Sequence, residues 1–268
     1  MDEVFLGPTE TRVPKIGLGT ARYFGGRGVL VKGLAAGLRL IDTAESYNAR
    51  GDEPGEAELL VGEELAGHWD RVFIATKISP RNLGARNVPV HARASARRLG
   101  VEVLDLYQIH GPNPAIPIAE TIGALEGLVD EGLIRFIGVS NFSADQLKAA
   151  QDTARRYPIV SNQIRYNLFE RDVADDVLEL CQATKVTVIA HTPLALADFD
   201  GHPGSGVLRE VSRAAGRTPA QVMLNWLVSQ DGVIAIPKTD RPERVAELAG
   251  SVGWELDDDQ RRALDGCA

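Results

Sequence analysis

The chain has 268 residues, 44% of them hydrophobic, enough to bury a large core. Its 37 acidic against 29 basic residues leave a net charge of -8, which excludes a diffuse basic surface for nucleic acid. Two cysteines, Cys181 and Cys267, are too few for a disulfide framework or a cysteine metal site.

No apolar run approaches a membrane span, and Met1-Asp2-Glu3 lacks the basic and apolar regions of a signal peptide. A cytoplasmic chain with no membrane partner is expected. Cys181 reads as a core thiol and Cys267 as part of a frayed terminus. In chain order, Val4-Phe5-Leu6 and Thr11-Arg12-Val13-Pro14 flank a Gly7-Pro8 turn, which predicts a hairpin. Ile16-Gly17-Leu18-Gly19-Thr20 predicts the first strand of a larger sheet, its glycines permitting close backbone approach. A helix over 28–37 carries Val29, Leu30, Gly33, Leu34 and Gly37 on one face. Residues 38–41 form a short buried strand that stops at Asp42. Tyr47 follows five residues later, in a loop rich in Asn, Gly, Asp and Pro.

The alternation continues with a helix over 56–66, carrying Leu59, Leu60 and Leu65, and a strand over 72–77 that ends in Lys77. A helix over 89–99 leads to a strand over 103–110, ending in His110, and a helix over 117–131. The strand 134–139 ends in Ser140-Asn141, and Ser143 has the chemistry of a helix N-cap. Then come a strand over 159–163 ending in Gln163, a helix over 172–183, and a strand over 186–190 ending in His191. A long loop over 192–206 opens with Thr192-Pro193-Leu194 and precedes helices over 207–215 and 218–230. The last strand, 233–236, runs into Pro237-Lys238-Thr239, and helices over 242–250 and 257–265 close the chain.

Eight strand–helix units without a break in composition predict a single α/β domain over 1–268, a parallel (β/α)8 barrel. A doubly wound open sheet is the competing architecture, but Gly17-Leu18-Gly19 lacks the third glycine of its dinucleotide fingerprint. Barrels build their sites at the C-terminal ends of the strands. Asp42, Lys77 and His110 stand at three such ends, with Tyr47 in the loop after the first. A phenol has a pKa of roughly 10 unless its anion is stabilised. An ammonium within about 4–6 Å favours the phenolate. Lys77 can supply that ammonium, Asp42 can keep it protonated, and His110 can hydrogen-bond a carbonyl or share its proton transfer. Such a site protonates an oxygen while something else attacks carbon. Singly, a buried Asp–Lys pair or a tyrosine after a strand is ordinary packing; the four together point to catalysis.

The stretches IDTAESY, IATK, DLYQIH, GLIRFIGVSNF and IPKT, in this order and on these elements, resemble the aldo-keto reductase family. The likeness runs from about Val4 to the last helix. It implies a TIM barrel whose bottom is covered by the N-terminal hairpin, and NADPH-dependent reduction of a small-molecule aldehyde or ketone. Asp42, Tyr47, Lys77 and His110 match the family's catalytic tetrad, with Tyr47 the acid in reduction and the base in oxidation. The hydride would come from the nicotinamide, since no side chain donates one. Ser140, Asn141 and Gln163 match the residues that hold the carboxamide. Lys238, Thr239 and Arg244 match the pocket for the adenosine 2′-phosphate, and two cations with a hydroxyl suit an anion. Gly19, Thr20, Pro193 and Leu194 complete the implied cofactor surface.

Several positions depart from the family's pattern. His191 stands where an aromatic usually stacks on the nicotinamide, and an imidazole brings a charge that changes near neutral pH. Leu248 replaces an asparagine that usually touches the adenine. Ala21 and Gly111 occupy two positions where tryptophans often line the pocket. Tyr23, Phe24 and Trp69 belong either to the pocket or to the core. A monomer is favoured. Two other readings stand beside the reductase: a cofactor-binding regulatory subunit of the same fold, and a lyase forming a Schiff base through Lys77.

Overall fold

The computed structural model describes residues 2–48, 55–171, 175–197 and 199–267. Strand β1 (Glu3–Phe5) pairs antiparallel with β2 (Arg12–Pro14), as the hairpin pattern predicts. Eight parallel strands follow in chain order across one sheet: β3 (Leu18–Gly19), β4 (Leu40–Asp42), β5 (Phe73–Ile78), β6 (Leu104–Ile109), β7 (Ile134–Ser140), β8 (Ile159–Arg165), β9 (Thr187–His191) and β10 (Val233–Ala235). A parallel bridge between Ile16 and Ala235 joins the first to the last, with the Gly17 N–H donating to the Ala235 carbonyl at 2.9 Å. The sheet thereby closes into the barrel.

Around it run α1 (Val29–Ala35), α2 (Glu56–Glu64), α3 (Val88–Leu99), α4 (Ile118–Asp130), α5 (Ala144–Thr153), α6 (Asp175–Ala183), α7 (Ser205–Ala215), α8 (Pro219–Val228), α9 (Val245–Ala249) and α10 (Asp258–Asp265). The period of two along each strand sorts the side chains. Leu40, Phe73, Leu106, Val160, Ile189 and Ile234 point inward and pack with Leu6 and Val13 of the hairpin. Their neighbours Ile41, Ile74, Tyr107 and Val188 point outward under the helices. The hairpin therefore plugs the end of the barrel where the strands begin. Gly7 makes that fit possible: its φ is +56°, and a Cβ there would stand 2.6 Å from the Val160 carbonyl oxygen. Its N–H donates to Thr187 Oγ1 at 2.7 Å.

Ser143 caps α5 in a capping box with Gln146, as expected. Other expectations need correction. On α2, Leu59 is 47% exposed, whereas Leu65 at the helix end is fully buried and Leu60 packs against the core as expected, and Ala57, Glu58 and Val61 complete the buried face. Glu58 is fully buried because it accepts from Thr76 Oγ1 at 2.5 Å and from Arg98 Nε at 2.7 Å, tying α2 to β5 and α3. The stretch 242–250 divides into a 3-10 turn, Pro242–Arg244, and the short α9. Cys267 is not frayed: it is buried, with Sγ 3.7 Å from the Gly204 carbonyl. Cys181 is buried and burial pushes its thiol up to about 12, which makes it inert. The predicted start of α6 at 172–174, and 49–54 of the loop after Tyr47, lie outside the described residues. No described helix is long and apolar enough to cross a membrane.

Candidate active site

Strand register brings the predicted residues to one end of the barrel. Asp42 ends β4 opposite Ala75, Lys77 lies opposite Gln108, and Ser140 ends β7 opposite Gln163. Lys77 is 0% exposed. Its Nζ lies 2.6 Å from Asp42 Oδ1, donates to the Thr43 carbonyl at 2.8 Å, and reaches the Tyr47 hydroxyl at 3.4 Å. The other carboxylate oxygen, Asp42 Oδ2, accepts from Gln163 Nε2 at 2.8 Å and faces Gln108 Nε2 at 3.5 Å. Gln108 is not among the residues expected from the sequence. Its place two residues before His110, on the inward face of β6, is the signal that could have found it.

The electrostatics follow from burial. Burial works against the Lys77 ammonium, but Asp42 and Tyr47 beside it carry its pKa above the ordinary lysine value. Lys77 is therefore a buried, ion-paired cation, which weighs against the Schiff-base reading, where a neutral amine must attack a carbonyl. For Tyr47, burial raises the pKa, Lys77 pulls it down and Asp42 pushes it up. The net direction is upward, so the expected lowering by Lys77 is present but outweighed. At neutral pH the phenol keeps its proton.

His110 stands edge-on to Tyr47, ring centroids 5.4 Å apart at 76°. Its Nδ1 lies 3.1 Å from Ser46 Oγ. Burial, then the nearby Lys77 charge, lowers its pKa to about 4, so the imidazole is neutral. The turn carrying Ser46 and Tyr47 is pinned by Glu45, a residue the sequence does not single out. Its carboxylate accepts from the Ser79 N–H at 2.7 Å and Asn82 Nδ2 at 2.8 Å, and meets His91 Nδ1 at 2.7 Å. Burial disfavours that charge, yet Ser79, Asn82 and His91 hold the carboxyl below its usual range.

The predicted cofactor residues surround this cluster. Ser140 Oγ donates to the Gln163 carbonyl at 2.9 Å. Asn141, with φ at +59°, donates from Nδ2 to the His110 carbonyl at 2.9 Å, and its Oδ1 lies 3.2 Å from His191 Nε2. Asn141 thus bridges the two histidines. Burial, then Lys77 and Arg165, lowers the His191 pKa to about 4, which moves its expected change of charge well away from neutral pH. Thr20 is fully buried and donates from Oγ1 to the Asp42 carbonyl at 2.9 Å, so its hydroxyl braces β4. Gly19 lies against the end of β10, its N–H donating to the Pro237 carbonyl at 3.0 Å. Pro193 is buried and Leu194 half-buried, and Ala195, Leu196 and Ala197 continue in left-handed conformation.

Beyond β10, Lys238 pairs with Asp240 and Arg244 lies 3.8 Å from Glu247. Leu248 is 2% exposed and packs in the core, so it presents no side chain to an adenine. Tyr23 is buried and hydrogen-bonded to Glu64, while Phe24 is exposed, with Lys238 Nζ 5.8 Å from its ring centre. Trp69 lies in the turn Trp69–Arg71 that precedes β5, at the opposite end from the site. Among the described residues, a Cβ added at Gly111 would meet only Pro80, at 3.6 Å. Amide and hydroxyl groups at 140, 141 and 163 beside a proton-bearing phenol, with cations at 238 and 244, have the chemistry to receive a nicotinamide dinucleotide.

The closed barrel and the cluster at its C-terminal edge place the chain among the TIM-barrel oxidoreductases. Residues 15–268 match the model of the Aldo/keto reductase family, and the chain belongs to it. It is 35% identical to the methylglyoxal reductase YeaE of Escherichia coli (strain K12), over 87% of this chain and 81% of that one. An aldo/keto reductase from Klebsiella pneumoniae, solved with NADP and acetate, is 34% identical with a TM-score of 0.86, covering 96% of this chain and 92% of that one. The thermostable aldo-keto reductase Tm1743, solved with the inhibitor epalrestat, is 33% identical with a TM-score of 0.93 over 100% of both chains.

Proposed function

We propose that the chain, a single barrel domain acting as a cytoplasmic monomer, reduces small aldehydes or ketones to alcohols with NADPH, Tyr47 giving the proton. The observation that carries this reading is the Tyr47 hydroxyl, 3.4 Å from Lys77 Nζ at the open end of the buried Asp42–Lys77 pair. Ser140, Asn141 and Gln163 would hold the carboxamide of the cofactor. Gly19, Thr20, His191, Pro193 and Leu194 would lie around it, and Lys238, Thr239 and Arg244 at its adenosine end. When bound, the cofactor supplies a hydride to the carbonyl carbon.

The side chains manage the oxygen. Neutral His110 donates a ring N–H to the carbonyl and holds it against the Tyr47 hydroxyl. As negative charge grows on that oxygen, the phenol proton passes to it, because an alkoxide is a far stronger base than a phenolate. The Lys77 ammonium stabilises the phenolate left behind. In alcohol oxidation the same phenolate takes the proton back. Asp42 and Glu45 act through their neighbours, the first on Lys77 and the second on the turn carrying Tyr47; both are positioning residues.

The relatives support the substrate class, since one is a methylglyoxal reductase and another was crystallised with NADP. The test is the loss of NADPH absorbance with methylglyoxal and a panel of other carbonyl compounds. Turnover of at least one substrate, falling about 10²–10⁴-fold in Tyr47→Phe with cofactor binding intact, is the expected result. Tight NADPH binding with no turnover of any carbonyl would overturn it in favour of a regulatory subunit.

A further inference from the structure

The turn between Asp42 and Tyr47 places a serine hydroxyl on one edge of the His110 ring. Thr43, Glu45 and Tyr47 tie that turn down. Their backbone N–H groups donate to the carbonyls of Ala75 at 2.8 Å, Lys77 at 3.2 Å and Ala44 at 3.1 Å. The Glu45 carboxylate is anchored as well, so Ser46 has little freedom, and its Oγ stands 3.1 Å from Nδ1 of His110. The histidine is pinned from its own side. Its backbone N–H donates to the Ile78 carbonyl at 3.0 Å, its carbonyl accepts from Asn141 Nδ2 at 2.9 Å, and the Tyr47 ring stands edge-on to it. Two fixed backbones thus hold one hydroxyl against one ring nitrogen. Among the described residues, Ser46 Oγ has no second hydrogen-bond partner, and Nε2 of His110 has none.

We infer that Ser46 is a positioning residue: its hydroxyl donates to Nδ1 of His110 and so keeps the ring hydrogen on Nε2, the nitrogen left for a carbonyl oxygen. The inference rests on the reductase reading above, in which His110 gives a ring N–H to the carbonyl. A neutral imidazole carries one ring hydrogen, and the bond made at one nitrogen decides which of the two holds it. Ser46 takes Nδ1, so Nε2 is the nitrogen that can serve a substrate. A serine hydroxyl can donate or accept, and the opposite end of the ring settles which. A carbonyl oxygen offers only lone pairs and needs the hydrogen at Nε2; Nδ1 is then an acceptor, and only a donor fits it. Each bond strengthens the other through the ring. The other tautomer would set a lone pair on Nε2 against those of the carbonyl and offer the Tyr47 proton a second acceptor. Among the described residues no hydrogen bond joins the Tyr47 hydroxyl to the ring, which agrees with a hydrogen on Nε2.

The experiment reads the tautomer directly. Long-range proton–nitrogen spectra of the intact protein, labelled with nitrogen-15 at histidine, are recorded at neutral pH without substrate. The ring signals of His110, one of five histidines, are assigned by their loss in His110→Gln. The wild type should carry the hydrogen on Nε2. Ser46→Ala should let it divide between the two nitrogens, so that both ring signals move toward each other. The competent tautomer is then only a fraction of the molecules, and kcat/KM falls with that fraction. The loss expected is about two- to tenfold, the worth of one neutral hydrogen bond, with NADPH affinity unchanged. Ser46→Thr keeps a hydroxyl and should return both the ring signals and kcat/KM toward the wild-type values. Ser46 is exposed, so neither change disturbs the core, and thermal melting checks that both variants fold. A wild-type ring with its hydrogen on Nδ1, or ring signals that do not move in folded Ser46→Ala, overturns the role of Ser46. Absence of turnover with every carbonyl overturns the reductase reading instead, and is told apart because the ring signals are read without substrate.

Discussion

Lys77 and Lys238 are both lysines facing an aspartate, at the two ends of the proposed site. Lys77 and Asp42 have side chains 0% and 2% exposed, and each has further partners in Thr43, Tyr47, Gln163 and Gln108. Lys238 and Asp240 sit at the rim, and one carboxylate oxygen has no hydrogen-bond partner among the described residues. A buried pair is over-determined: removing one partner strands a charge, at a cost of about 3–5 kcal/mol. A rim pair is worth about 0–1 kcal/mol and gives way readily to a ligand. The centre therefore has the build of machinery that fixes geometry, and the rim that of a surface whose charges select.

The contrast is broken most severely at the centre. Lys77→Met should abolish most carbonyl reduction and destabilise the fold by about 3–5 kcal/mol, since Asp42 is then buried without its cation. Lys238→Met should change stability by less than about 1 kcal/mol. Urea unfolding of the two variants checks the difference; equal losses would remove it. At the rim, Arg244→Ala should weaken NADPH binding about tenfold and NADH little, since charge-assisted hydrogen bonds contribute roughly 1.5–3 kcal/mol and Glu247 shares this one. That loss should shrink in high salt, which screens an exposed contact. Fluorescence titration at two salt concentrations reads both effects.

The smallest effect concerns the histidines. Both His110 and His191 have pKa values lowered from 6.5 to about 4. Because the unfolded chain binds these protons more readily, their contribution to stability is complete above about pH 6.5 and is lost as pH falls toward 4. Cofactor binding should accordingly show no histidine titration near neutrality. Below about pH 5, protonation of His191 beside a cationic nicotinamide should weaken NADP⁺ more than NADPH. Matching profiles for the two redox forms down to pH 4 would place His191 away from the ring.

Much of the site is legible in the chain because barrel strands announce themselves. Runs such as Phe73-Ile74-Ala75-Thr76 are bounded by loops, and the residue that ends each run falls at the strand's C-terminal edge. Asp42, Lys77, His110 and Gln163 can therefore be read together from the sequence. What stays hidden is polar and relational. Glu58 looks like a solvated helix residue because its partners, Thr76 and Arg98, are distant in sequence. Glu45 lies inside the motif, but its three partners come from two later elements. The direction of the Tyr47 shift depends on how deeply the loop buries the phenol, which no spacing encodes. Asp240 is visible two residues after Lys238, yet only the structure shows which of its oxygens is taken.

Tyr47 as the proton donor is the central claim, and a single-turnover measurement addresses it most directly. Wild type and Tyr47→Phe, each preloaded with NADPH, would be mixed with methylglyoxal or the best carbonyl of the panel, and NADPH oxidation followed by stopped flow. The expected result is unchanged NADPH affinity and a chemical step slower by about 10²–10⁴-fold in the variant. A variant that oxidises NADPH within a few-fold of the wild-type rate would contradict it.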